Sequence, residues 1–351
     1  MSRHIVRHPN SPGRRSYSER MTTDSAASLG NTPVVADDSS TDRPPGTRAP
    51  DTRFADSNGI RIAYETFGDP VDTPVLLIMG LATQMWAWPD EFCRQLVDAG
   101  NHVVRYDNRD VGLSTHFDEA EDPKQVRVLF GLEEPPYRLT DLAKDAAGLI
   151  EALGWTSAHV VGISMGGMIA QILTLLRPDL VRSLTSISST TGSLRVGKPR
   201  ADVLRLLATT RPATDREGAI ANSLAMYSKI RSPGFPAEAR AGELAGMAYD
   251  RRYDPAGGRR QFSAILATPD RTAALQRVAV PTTVIHGTSD NLVNLSGGYA
   301  TAAAIPGARL VTIDGMGHDL PQPLWSRLVQ EVQANISRAE DRLPAPEAQP
   351  V

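Results

Sequence analysis

The segment Gly162-Ile163-Ser164-Met165-Gly166-Gly167 sets one hydroxyl between glycines, directly after the apolar run 159–163 and directly before a helical pattern that begins at Met165. A serine on such a strand-turn-helix corner has strained backbone angles, and side chains at the flanking glycine positions would collide with neighbouring elements. The corner presents the hydroxyl at a helix N-terminus, where backbone N–H groups and the helix dipole favour developing negative charge. That is the chemistry of a nucleophile attacking a carbonyl. A serine hydroxyl is a poor nucleophile until a base takes its proton, and the base in turn needs a carboxylate to orient it.

The sequence holds seven histidines. In the setting of this motif the acid and then the base follow the serine along the chain. His4 and His8 fall in a polar terminal segment, His102 and His159 at strand starts on the far side of the sheet from Ser164, and His116 before the serine. His286 ends a strand among neighbours that suit a supporting role. His318 remains, on the glycine-flanked loop Asp314-Gly315-Met316-Gly317-His318 after the last strand. The acid is expected after the penultimate strand, where His286-Gly287-Thr288-Ser289-Asp290 supplies Asp290. Asp314 is the nearest rival, but it lies only four residues from His318 on the same short loop. The oxyanion of an acyl transfer needs two backbone donors, expected from Met165, next after the serine, and from Leu81, in the loop that follows the apolar strand 75–79. Met85, Trp86 and Trp88 lie just beyond that loop and either line an acyl pocket or pack the first helix on the sheet.

These residues need a sheet whose strands end together. An Asn58-Gly59 pair inside 53–67 predicts a hairpin. The short apolar run 75–79 reads as a strand buried on both faces, and 102–106, 159–163, 181–187, 282–285 and 309–313 read as further strands. Helical patterns lie between them at 89–99, closed by Gly100, at 139–153 with Thr140 as candidate N-cap, and at 165–176, 296–304 and 324–337. Strands alternating with helices predict an α/β architecture with a mostly parallel, eight-stranded sheet covered on both faces. Only helical patches occur between Thr191 and Val278, at 202–209, 216–230, 236–249 and 259–267. An insertion there lies over the C-terminal strand ends, where ligands bind in open α/β sheets. The expected organisation is a polar N-terminal tail 1–50, a core in two parts, 51–190 and 279–338, a helical cap 191–278, and a C-terminal tail 339–351.

With these positions in hand, the chain resembles the α/β-hydrolase fold family. The resemblance rests on Met79-Gly80-Leu81, on Arg105-Tyr106-Asp107-Asn108-Arg109-Asp110-Val111-Gly112-Leu113-Ser114, on the serine corner, on Gly287-Thr288-Ser289-Asp290 and on Gly317-His318. Within the family it is similar to the branch of bacterial carboxylesterases that includes aclacinomycin methylesterase and mycobacterial Lip-type hydrolases, over about 53–337. The resemblance implies hydrolysis of a small-molecule carboxylic ester through a Ser164–His318–Asp290 triad, with no cofactor and no metal. It implies a structural bracing role for the loop carrying Asp107, Arg109 and Asp110. Many relatives have His-Gly where this chain has Met79-Gly80; a backbone donor tolerates that change. The HGGG form of many lipases is absent. The same triad serves thioesters, lactones, amides and carbon–carbon bonds, and the alternative of another class is a non-catalytic binding protein on the same scaffold.

Composition narrows the field. The 351 residues are 41% hydrophobic with a formal net charge of -3, and the pI is about 6.2, so nucleic acid is not an expected partner. The single cysteine, Cys93, rules out an internal disulfide and any multi-cysteine metal centre, and fits a reducing, cytoplasmic setting. No apolar run approaches the ~20 residues of a membrane span, and no apolar stretch follows the N-terminal arginines as a secretory signal requires. Met1 and Met21 are both candidate starts, and no motif specifies an oligomeric state.

Overall fold

The computed structural model describes residues 51–235 and 237–342. The expected tail 1–50 lies outside the described residues, as does the C-terminal tail from 343 onward.

A hairpin begins the fold: β1 (Arg53–Ser57) and β2 (Ile60–Phe67) pair antiparallel with Ser57 opposite Ile60. Asn58 and Gly59 both have positive φ, 48° and 78°, the twist that a two-residue hairpin turn requires. There follow β3 (Thr73–Ile78), α1 (Asp90–Asp98), β4 (Asn101–Tyr106), the short α2 (Gln125–Leu129), α3 (Leu139–Ala152), β5 (Ala158–Ile163), α4 (Met165–Leu176) and β6 (Val181–Ile187). Next, among the described residues, come five helices with no strand between them: α5 (Ala201–Thr209), α6 (Arg216–Ile230), α7 (Glu238–Arg251), α8 (Pro255–Leu266) and α9 (Thr272–Leu275). The chain closes with β7 (Thr282–Gly287), α10 (Ser296–Ala304), β8 (Arg309–Ile313) and α11 (Trp325–Glu340).

The eight strands form one sheet in the order β1-β2-β4-β3-β5-β6-β7-β8. Only the β1/β2 and β2/β4 pairings are antiparallel; the others are parallel. Alternation along β3 distributes the core: Leu76 and Ile78 join the helices α3 and α4 on one face, while Val75 and Leu77 join α1 and α11 on the other. Each such fully buried side chain contributes roughly 1.5–3 kcal/mol. Both faces are covered over the central strands β3 to β7, which are almost wholly buried, while the edge strand β8 leaves Arg309 and Thr312 exposed.

Two expectations change, and two short helices are added. Thr140 does not cap α3: it lies inside the helix, Arg138 is the N-cap, and the Asp141 carboxylate in the first turn accepts the Arg138 N–H at 2.9 Å. Helices α2 and α9, of five and four residues, are too short for a helical period to show in the sequence. The last helix runs on to Glu340, because Ile336 and Ala339 continue its buried stripe.

Candidate active site

Ser164 stands between the end of β5 and the start of α4 with φ 56° and ψ -121°, outside the regions that non-glycine residues favour. The corner is closed by contact. A Cβ on Gly162 would lie 2.2 Å from the Gly166 carbonyl oxygen, and one on Gly166 would lie 2.1 Å from that of Ile78. The Ser164 N–H donates to Ile187 O on β6 at 2.9 Å, and the Ser164 carbonyl accepts the Ser189 hydroxyl at 2.8 Å.

The structure brings the three expected residues together from separate strand ends. His318 Nδ1 donates to Asp290 Oδ2 at 2.7 Å, and His318 Nε2 lies 2.9 Å from Ser164 Oγ. With Nδ1–H given to the carboxylate, Nε2 is left to accept the hydroxyl proton. Asp290 Oδ1 accepts the N–H groups of Leu292 at 2.9 Å and Val293 at 2.8 Å. Burial works to raise the Asp290 carboxyl, but the imidazoles of His318 and His286 and these donors together hold it below the ordinary carboxylate range. It therefore stays ionised against His318. His286 is fully buried beneath this loop, donates to Val293 O at 2.7 Å, and is pushed down by burial, so it is neutral and supports the turn that carries Asp290. Asp314 is turned to Thr288, whose hydroxyl it accepts at 3.0 Å.

Gly80 backs directly onto the serine: a Cβ there would lie 3.2 Å from Ser164 Cβ. Among the described residues neither the Leu81 nor the Met165 N–H donates a hydrogen bond to a protein group. Met85 and Trp88 are fully buried, and Trp88 packs at 5.4 Å on Phe92 of α1 within the core cluster of β3 and β4. Trp86 donates its indole N–H to Glu65 at 2.9 Å and lies under the Arg251 guanidinium. These contacts pack Trp88 on the first helix and tie Trp86 to β2 and to Arg251 of α7.

The charged loop after β4 is wholly engaged in bracing contacts. Asp107 accepts Met85 N–H at 2.9 Å and pairs with Arg251 at 2.5 Å. Arg109 grips Asp145 through two contacts of 2.6 Å, and Asp110 grips Arg260 at 2.8 and 2.7 Å. Asp110, His116 and Asp254 bring potential metal-ligand atoms within 4.8 Å of one another. Each is already occupied: Asp110 by Arg260 and Tyr137, His116 by Asp254 at 2.6 Å and the Gly112 carbonyl at 2.9 Å, and Asp254 also by the Gly257 N–H.

Three contacts that the sequence did not disclose join the helical insertion to the site. The His318 N–H donates to Ile230 O at 2.7 Å, and Ser232 Oγ accepts the Gly317 N–H at 2.8 Å, so the end of α6 holds the loop of the imidazole. On the other side, Gln261 of α8 accepts the Ala82 N–H at 2.7 Å beside Leu81. A cavity of about 200 Å³ lies between α6, α7, α8 and the loop 110–116, lined by Ala82, Val111, His116, Tyr249 and Tyr253 among others. It reaches the site only at Ala82; Ser164 and His318 do not line it. Among the described residues no helix is long and apolar enough to cross a membrane.

Residues 73–321 match the family described as alpha/beta hydrolase fold. The chain is 30% identical over 313 residues to rhodomycin D methylesterase DnrP of Streptomyces peucetius, covering 82% of this chain and 99% of that protein. Among solved structures it is similar to the esterase RhEst1 of Rhodococcus sp. ECU1013, with a TM-score of 0.65 and 23% identity over 82% of this chain and 98% of that one. It is similar also to the enol-lactonase of Burkholderia xenovorans LB400, with a TM-score of 0.63 and 24% identity over 81% of this chain and 100% of that one. At these identities the two structures speak for the fold alone.

Proposed function

The chain belongs to the α/β-hydrolase fold family, and from that premise we propose that it is a serine hydrolase of carboxylic esters, a carboxylesterase or methylesterase. The observation that carries the reading is the unbroken relay from Asp290 through His318 to Ser164 Oγ, at 2.7 and 2.9 Å. Ser164 attacks the ester carbonyl as His318 Nε2 takes its proton, and Asp290 stabilises the imidazolium that forms. The Leu81 and Met165 N–H groups receive the oxyanion. His318 then protonates the departing alcohol and activates water to free Ser164. Turnover needs a neutral imidazole at the start, so activity falls in acid.

The kinship with a methylesterase over nearly its full length supports an ester rather than an amide or thioester as the bond cleaved. Residues 191–278 act as the cap of this site, with their helices held against the oxyanion and imidazole loops by Gln261 and Ser232. The substrate is a small molecule, and a buried, unpaired Cys93 suits a cytoplasmic enzyme. The test is release of p-nitrophenol from butyrate and octanoate esters at pH 8 by the wild-type protein and by Ser164→Ala. Turnover by the first and its loss in the second support the reading. Equal rates in both overturn it.

A further inference from the structure

Gln261 is fully buried on α8, and both hydrogen bonds of its carboxamide leave the helix. Its Oε1 accepts the Ala82 N–H at 2.7 Å, and its Nε2 donates to the Arg109 carbonyl at 2.7 Å. Arg109 is itself locked to Asp145, so the second contact fixes which way the amide faces: oxygen to Ala82, nitrogen to Arg109. A flipped amide would set donor against donor and acceptor against acceptor.

The residue so held follows Leu81. The Leu81 carbonyl accepts the Thr83 hydroxyl at 2.9 Å, and the N–H across the same peptide is the one given to Gln261. A peptide unit is planar, so anchoring both its oxygen and its N–H fixes the whole plane. Gly80 is pressed against Ser164 on the other side. Between these two fixed points the Leu81 N–H has little freedom of direction. Ala82 also has φ 53°, a left-handed conformation that alanine does not favour, and that the surroundings must impose. Gly258 of α8 leaves room for this: a Cβ there would lie 2.9 Å from Ala82 Cβ.

We propose that Gln261 is a positioning residue of the oxyanion site, holding the Leu81–Ala82 peptide from the helical insertion so that the Leu81 N–H faces the oxygen that becomes negative. The inference rests on the ester-hydrolase reading above. A positioning role differs from mere attachment of the insertion to the core in what it affects. The oxyanion exists only in the transition state, so kcat should fall while KM holds. Loss of an oxyanion donor costs roughly 10²–10³-fold in rate, and loosening one should cost less, about 10–100-fold.

The experiment compares p-nitrophenyl butyrate kinetics, the affinity for a trifluoromethyl ketone that forms a tetrahedral adduct with the serine, and Tm. The proteins are wild type, Gln261→Met, Thr83→Val and Val203→Ala. Gln261→Met keeps side-chain length without an acceptor. Thr83→Val removes the other anchor of the same peptide without altering the insertion, and so tests the idea even if Gln261→Met does not fold. Val203 is buried on α5, a helix with no hydrogen bond to the Leu81–Ala82 peptide, and its truncation loosens the insertion generally. The expected result is a kcat loss of about 10–100-fold in Gln261→Met and a smaller loss in Thr83→Val, with KM within threefold and ketone affinity falling in step with kcat. Val203→Ala should lose Tm and keep kcat. A kcat within twofold of wild type in Gln261→Met and Thr83→Val, or a loss that follows Tm across all three variants, overturns the proposal while leaving ester hydrolysis in place. A wild-type protein that neither turns over the ester nor binds the ketone removes the ester reading itself, and this inference with it.

Discussion

Ser232 donates its hydroxyl to Asp319 at 2.5 Å and accepts the Gly317 N–H at 2.8 Å, and so ties the end of α6 to both neighbours of His318. Its own N–H also reaches Asp319, at 2.9 Å. The imidazole is therefore placed by the insertion as much as by the loop after β8. Burial raises the Asp319 carboxyl above the ordinary range, opposed by these Ser232 bonds. Ser232→Ala leaves a buried N–H on Gly317 and one carboxylate oxygen short of partners, which costs about 1–3 kcal/mol. The expected outcome is a fall in Tm together with a kcat reduced about tenfold, read by calorimetry and steady-state kinetics. Unchanged kcat with a lowered Tm would show that the loop holds the imidazole without help from α6.

Asp290→Asn tests the acid. The amide can present its oxygen to Leu292 and Val293 and still leave an N–H facing His318 Nδ1, which then becomes an acceptor. Nε2 would carry the proton and could no longer take one from Ser164. The expected loss in kcat is roughly 10³–10⁴-fold with little change in fold. Asp314→Asn, altering the rival carboxylate that is bound to Thr288, should leave kcat within about twofold. The opposite ranking of the two variants would exchange their roles.

What could be read in the sequence, and what could not, follows from distance along the chain. The strands were legible because a parallel sheet covered on both faces leaves unbroken apolar runs, as in 159–163, where all of β5 is buried. The serine corner was legible because Gly162 and Gly166 are demanded by backbone contacts within it and with β3. Asp290 and His318 followed from the order of strands. Gln261 and Ser232 left no such trace: their partners lie 179 and 85 residues away, and a glutamine within a polar helical pattern looks like any surface glutamine. The trio Met85, Trp86 and Trp88 was ambiguous for a related reason, since composition cannot distinguish a pocket wall from the underside of a helix. The structure adds that Trp88 packs on Phe92 and that Trp86 donates to Glu65.

Arg105 supplies a stability prediction. It is 1% exposed on β4, between Glu65 at 3.0 and 2.5 Å and Asp90 at 2.7 Å, and it also donates to the Trp88 carbonyl. Removing one partner of a buried ion pair typically costs roughly 3–5 kcal/mol, because the other charge is left without compensation. Glu65→Gln retains a hydrogen-bonding oxygen, and Asp90 remains, so about 3 kcal/mol is expected, at the low end of that range. Urea unfolding of the variant measures it. A loss below about 1 kcal/mol would mean that Asp90 and the Trp88 carbonyl suffice.

His159 predicts how the protein responds to acid. Its ring is buried on β5, with Nδ1 at 2.8 Å from Ser183 Oγ and Nε2 at 2.9 Å from Glu340 on α11. Burial pushes it down to about 4, against the pull of the Glu340 carboxylate and helped by the nearby Arg182. In the unfolded chain the same ring protonates near ~6.5. Between those two values the unfolded state holds a proton that the folded state does not, so stability rises with pH there and is lost as pH falls from about 6.5 to about 4. The separation corresponds to at most about 3 kcal/mol. His102 and His286 are also lowered by burial and add to the same acid loss. Unfolding free energies by urea at pH 7.5 and 4.5 should differ less in His159→Gln than in the wild type, since the variant has no proton to take up at that position. An equal drop in both proteins would mean that His159 is protonated alongside Glu340 in the native fold, and that the acid sensitivity arises at the other two histidines.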